Sequence, residues 1–295
     1  MISTSVRRAP LTVFVVAIAV AASAQQIYLC PMHPGVRGRQ GELCPICHMA
    51  LVPAGTNDYR PYELAVEILP RAVRAQRAAQ VRFLVRDPRT HQPVRSFEVV
   101  HERVFHVFLV SRDLEYFAHL HPTLRRSGEL DVDVTVPKEG AYQLIADFVP
   151  TGGAPQLVQK SFATAGYAAR LGEVPELAAD RADKTVLGVR VNLTTPEAVA
   201  GREQLIMFEL RDTATGAPIE DLEPFLGATG HLLLASADLE DVAHSHPVAA
   251  ISARSGPTVV FQARFSRVGM YRMWAQFQRR GEVLTAAFTV PVRER

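Results

Sequence analysis

The chain is 295 residues long, 48% apolar and 21% charged, with 20 prolines and a formal net charge of +2. That length accommodates two or three domains, and the near-neutral charge, without basic patches interleaved with aromatics, excludes a disordered or nucleic-acid-coating protein. Frequent proline, scarce helical periodicity and short apolar runs between turn residues predict an all-β chain.

Residues 1–24 have the anatomy of a secretory signal peptide. Arg7 and Arg8 give a basic start, Leu11 to Ala21 an apolar stretch, and Ala22–Ala24 a small-residue cleavage site. The apolar run falls short of the ~20 residues that a spanning helix needs. The expected location is the periplasm or another exported compartment, with a membrane anchor only if the segment is retained. The bulky Ile27-Tyr28-Leu29 before Cys30 argues against lipoprotein processing there.

A small domain over residues 25–56 follows, and it holds every cysteine of the chain. Three cysteines in an exported protein do not fit a pure disulfide framework. Cys30-x-x-His33 and Cys44-x-x-Cys47 have the spacing of two chelating knuckles, since each x-x turn lets both ligands face one ion. The alternative is a Cys44–Cys47 disulfide, which does not use Cys30. The stretch YLCPMHPGVRGRQGELCPICHMALVP, Tyr28 to Pro53, resembles the small heavy-metal-binding domain family at Tyr28, Cys30, Pro31, Met32, His33, Pro34, Cys44, Pro45, Cys47, Met49 and Leu51. Domains of that family accompany bacterial copper and heavy-metal efflux ATPases and the periplasmic adaptors of metal efflux pumps. The resemblance points to copper and heavy-metal export, and Met32 and Met49, which flank the knuckles, are expected to aid ligand exchange. The chain departs from the family pattern at His48, where glycine is usual, and at Gln40–Leu43, where Pro-Gly is usual.

From Tyr62 onward one unit is written twice. Phe83–Pro122 aligns without a gap with Phe208–Pro247, identical at about 16 of roughly 40 positions. Gly140–Phe148 likewise matches Gly269–Phe277. The boundaries are set at 57–166 for repeat 1, 167–183 for a linker and 184–295 for repeat 2. The size and turn rhythm of each unit predict an immunoglobulin-like β-sandwich, though without the Cys–Trp–Cys signature of antibody domains.

Both repeats keep the pattern His-x12-His-x-His-Pro: His106, His119 and His121 reappear as His231, His244 and His246. Two strands joined at Arg112–Asp113 would place His106 opposite His119, with Cβ atoms about 4.5–5.5 Å apart. His121 would share that face because side chains alternate along a strand. Three neutral imidazoles converging on one spot suit copper, zinc or nickel. Asp147 is placed to donate an oxygen ligand or to orient an imidazole. Its counterpart is Gln276, so the two sites are expected to differ. The competing reading is structural, with His-x-His-Pro pinning a hairpin end and Asp113 and Asp238 capping the turns.

The expected function is that of an exported heavy-metal-binding protein, for copper in preference to zinc, acting in capture, hand-off or resistance. Its expected partners are metal ions and a metal efflux system or another exported metal protein, not nucleic acid. Two rival classes are a tandem β-sandwich adhesion protein with structural zinc and a mononuclear metal oxygenase. No carboxylate follows the His-x-His at the spacing a cupin-type oxygenase would use. No catalytic residue is assigned.

Overall fold

A computed structural model describes residues 26–30, 36–45, 51–53, 61–168, 174–194, 197–248, 252 and 255–294. Among these, every helix-or-strand element is a strand. The predicted signal segment, residues 1–24, lies outside the described residues.

At the front, β1 (Tyr28–Leu29), β2 (Arg37–Gly38) and β3 (Val52–Pro53) form a small antiparallel sheet in the order β2-β1-β3. Backbone hydrogen bonds from Cys30 to Val36 and from Leu51 to Glu42, each 3.0 Å, fold the intervening loops onto it. Cys30 and Cys44 are fully buried. They share a packed cluster with Leu51 and Val52, and with Val100 and Val149 of the first repeat. The small domain therefore rests on repeat 1.

Repeat 1 comprises β4 (Glu63–Leu69), β5 (Ala78–Arg86), β6 (Phe105–Ser111), β7 (Phe117–Leu120), β8 (Thr123–Leu124), β9 (Glu129–Thr135), β10 (Ala141–Phe148) and β11 (Gln156–Ala163). Its two antiparallel sheets, β4-β5-β9-β8 and β11-β10-β6-β7, enclose Phe83, Phe105, Leu109, Leu130, Tyr142 and Leu144. Repeat 2 comprises β12 (Lys184–Val186), β13 (Val189–Leu193), β14 (Ala198–Val199), β15 (Glu203–Asp212), β16 (His231–Ser236), β17 (Val242–Ser245), β18 (Thr258–Arg264), β19 (Gly269–Arg279) and β20 (Glu282–Arg293). Its sheets are β12-β13-β15-β18 and β14-β20-β19-β16-β17. Both repeats are the β-sandwiches that the sequence predicts.

The repeats dock face to face. Alternating residues of β6 (Phe105, Val107, Leu109) point into the core of repeat 1. The intervening Phe108 and Val110 join Leu114, Ile145, Leu233, Ala235, Leu239 and Trp274 in a second apolar layer between the repeats. β6 and β16 are consequently buried at every position, which a strand reaches only when both of its faces are covered. Phe117 of repeat 1 stacks on Trp274 of repeat 2, with ring centroids 5.2 Å apart. The predicted linker takes part as well: Asp180 exchanges two backbone hydrogen bonds with Thr289, and Leu177 packs on the inter-repeat layer. Four sheets in succession result, with the pair β11-β10-β6-β7 and β14-β20-β19-β16-β17 in the middle.

One position shows how closely the central strands approach. Phe105 of repeat 1 is replaced by Gly230 in repeat 2, where a Cβ would sit 2.7 Å from the Gln276 carbonyl oxygen and 3.0 Å from the Phe277 ring. Gly230→Ala is expected to force β16 away from β19 and lower stability by ~1–3 kcal/mol. Thermal unfolding would measure this, and an unchanged midpoint would contradict the close approach.

Candidate metal centre

Each histidine trio is built on the outer face of a sandwich. His106 (β6) and His119 (β7) alternate with core-facing Val107 and Ala118, and His121 follows β7 directly. His231 (β16), His244 (β17) and His246 repeat the arrangement. Within each trio, one ligand nitrogen per histidine can be chosen such that all three lie within 4.8 Å of one another.

The register differs from the expected one by two residues. Phe108 pairs with His119 and Val107 with Leu120, which sets His106 level with His121 and diagonal to His119. The connection spans the four residues 112–115, closed by a 3.0 Å bond from Ser111 N to Tyr116 O, instead of the two residues Arg112–Asp113. Leu114 takes φ 63° there. Asp113 accepts hydrogen bonds from the Ser111 hydroxyl and the Glu115 N–H, and Asp238 accepts the same pair from Ser236 and Glu240. A shift of two keeps every side chain on its face, whereas a shift of one would not. The convergence of the imidazoles therefore survives.

The two trios are not isolated from each other. Docking brings them against each other in one network of ring contacts. His119 lies 5.4 Å from His231, and His106 lies 5.7 Å from His244, centroid to centroid. A seventh imidazole joins from repeat 1: His101 stacks on His246 at 3.6 Å and meets His231 edge-on at 5.4 Å. His101 escapes sequence reasoning because its counterpart is Leu226, so internal repetition does not single it out. Its backbone, at the tip of the Val100–Arg103 bridge with φ 48°, is repeated by Leu226 at the tip of the Phe225–Ala228 bridge with φ 52°, so only the side chain differs.

In three of the rings, those of His106, His231 and His244, the hydrogen bonds fix which nitrogen carries the proton. Nε2 of His106 is 2.9 Å from the Val100 carbonyl, which can only accept, so Nε2 bears the hydrogen and Nδ1 keeps its lone pair. His119 Nδ1 lies 3.0 Å from Gln276 Oε1, and the Gln276 amide group lies 3.1 Å from the Thr285 hydroxyl, which can donate or accept. With the amide oxygen towards His119, Nδ1 donates and Nε2 keeps its lone pair; the opposite amide orientation lets Nε2 donate to His106. His106 Nδ1 and His119 Nε2 face each other at 3.1 Å. Repeat 2 does the same: His231 Nε2 donates to Phe225 O at 2.9 Å, His244 Nδ1 to Asp147 Oδ2 at 2.7 Å, and His231 Nδ1 faces His244 Nε2 at 3.4 Å.

Ring nitrogens that close are held together either by a proton between them or by a cation. Burial disfavours charging most of these rings with a second proton: it pushes His106 down to about 4 and His101 and His121 to about 3, with the neighbouring imidazoles adding to the effect. Burial likewise takes His119, His231 and His246 well below the ordinary value. A cation bound at about 2.0–2.1 Å with tetrahedral angles would separate its nitrogens by about 3.3–3.4 Å, close to the spacing here. Nε2 of His121 and both ring nitrogens of His246 are buried without a hydrogen-bond partner in the protein, so each trio has a third donor to give. Imidazoles oriented from behind by carbonyl, amide and carboxylate oxygens are the usual outer arrangement of a metal site. The residues fit a copper or zinc ion in each trio.

Asp147 orients an imidazole, that of the other repeat. It pairs across the ladder with His106 of its own repeat, yet its carboxylate serves His244 of the other. Gln276, level with His231, reciprocates by serving His119. Each repeat supplies the orienting group for its partner's trio. His33, Cys47, Met32 and Met49 lie outside the described residues, and Cys30 and Cys44 are placed in one buried cluster.

A family model described as a domain of unknown function, DUF8832, matches residues 60–165 and again 184–294. A heavy metal binding domain model matches residues 27–54. None of the curated proteins matches the chain. Similar solved structures include the Escherichia coli adhesin FdeC, 14% identical over 83% of this chain and 68% of that one, with TM-score 0.27. They also include the fibronectin(III)-like modules of Clostridium thermocellum CbhA, 12% identical over 79% and 95%, TM-score 0.22. Invasin, a bacterial integrin-binding protein, is 14% identical over 79% of this chain and 40% of that one, TM-score 0.23.

Proposed function

The chain belongs to the DUF8832 family, carrying its domain twice behind a heavy-metal-binding segment, and on that footing we propose that it is an exported metal carrier, a binding protein and not an enzyme. It takes up copper, with zinc as the second choice, on the thiol knuckle of Cys30, His33, Cys44 and Cys47. It holds the metal on the histidines between its repeats. The observation that carries this reading is the convergence of three ring nitrogens in each trio within 4.8 Å of one another, with the closest pairs at 3.1 and 3.4 Å.

Placement supports hand-off within the chain. Cys30 and Cys44 pack in the same cluster as Val100, whose carbonyl holds His106. The preference for copper rests on the thioethers of Met32 and Met49 beside the knuckle and on what the heavy-metal-binding family accompanies. Export rests on the signal-peptide pattern of residues 1–24. Metal efflux systems or other exported metal proteins are the partners such a carrier would serve.

Elemental analysis of the purified full chain tests the reading. The wild type is expected to carry metal at both places. His119→Ala/His121→Ala should remove part of it, and Cys44→Ala/Cys47→Ala a different part. Metal content unchanged in the histidine variant would leave the inter-repeat cluster with a structural role only.

A further inference from the structure

Near-symmetry makes the two trios an internal comparison: the same strands and ligands, differing at a few identifiable positions. Three of the differences point one way. The orienting group behind His244 is a carboxylate, Asp147, at 2.7 Å; behind His119 it is a neutral amide, Gln276, at 3.0 Å. All three members of the second trio are buried, whereas His119 and His121 of the first are only partly so. His101, supplied by repeat 1, covers His246 and His231, while Leu226 stands at the corresponding place in repeat 2.

A carboxylate behind a ligating imidazole makes it a stronger donor and places a compensating negative charge near the ion. In a dry setting that charge counts for more than it would in water. Burial slows exchange with solvent, and the stacked His101 closes the second trio further. Given the metal-binding reading above, we infer that the two trios hold their ions unequally. His231, His244 and His246 form a tight site completed by Asp147 of the other repeat, and His106, His119 and His121 form the exchangeable site.

The tight ion then fastens repeat 2 to repeat 1, because Asp147 and His101 come from across the docking surface. The exchangeable site lies on the repeat whose Val100 packs with Cys30 and Cys44, where a carrier needs turnover. Two cations in adjoining trios also repel each other, so any two-ion centre fills in two steps. The existence of two steps therefore does not assign them; the reciprocal orienting groups do.

The test is a zinc titration of the full-length metal-free chain, read by histidine side-chain 15N NMR, with affinities from competition against a chromophoric chelator; the two steps counted are those of the inter-repeat histidines, apart from zinc taken by the thiol knuckle. His231 and His244 signals are expected to move in the first step, and His106 and His119 in the second. Asp147→Asn should weaken the first step by about 10–100-fold and leave the second within a few-fold. Gln276→Glu should tighten the second. Far-UV circular dichroism of the metal-free variants checks that both fold. A single step, two steps in reverse order, or an Asp147→Asn effect confined to His106 and His119 overturns the inequality while leaving metal binding intact. Zinc that perturbs no histidine of the cluster overturns both.

Discussion

Metal-free protein is expected to lose stability steeply as pH falls from about 6.5 towards 4. The folded values of His101 and His106 are depressed to about 3 and about 4, while in the unfolded chain both titrate near 6.5. Between those limits the unfolded chain binds protons that the folded one refuses, so acid favours unfolding; above about 6.5 neither state is protonated and the effect is absent. Each such histidine contributes about 1.4 kcal/mol per pH unit in that window. Those two alone would remove roughly 5 kcal/mol by pH 4.5, comparable to the whole stability of a small domain. Urea unfolding at a series of pH values measures it. Stability that stays level from pH 7 to 4.5 would mean that the imidazoles accept protons where they sit. Zinc should raise the midpoint at neutral pH and lose that benefit in acid, because the ion and the proton compete for the same lone pairs.

Trp274→Ala is expected to cost ~3–5 kcal/mol and also to weaken zinc binding, although Trp274 ligates nothing. Its side chain belongs to the layer between the repeats, stacked on Phe117, and takes no part in the core of repeat 2, which is filled by Tyr271, Met273, Ala275 and Phe277 on the opposite face of β19. The sandwich should therefore survive while the docking loosens. Small-angle scattering would register the loosening as an increased radius of gyration, with far-UV circular dichroism unchanged. A drop in zinc affinity of at least tenfold should accompany it. Full retention of zinc affinity would show that each trio binds without its neighbour.

The sandwich architecture was legible because each element has a local signal. β5, for example, alternates buried and half-exposed residues along AAQVRFLVR, the period-2 pattern of a strand with one covered face. The trios were legible through internal repetition, and the reading survived a register error because the error was even. Docking was less visible, although FHVFLVS and HLLLAS are unbroken apolar runs that call for cover on both sides. What no local pattern can supply is which surface provides that cover. For the same reason the cross-service of Asp147 to His244 and of Gln276 to His119 is invisible in the chain order. These partners are 97 and 157 residues apart, and only the geometry of one repeat against the other brings them together.

The exchange of orienting groups has a bearing on ancestry. A contact in which each half offers the same patch to the other is what a two-fold homodimer uses. A single-repeat forebear would have had to pair with a second copy of itself to complete either trio, and both trios would then have been identical. Fusion of two such copies into one polypeptide releases the halves from that sameness, so that a carboxylate can become an amide on one side only. The difference between Asp147 and Gln276 is a mark that a symmetric dimer could not have carried.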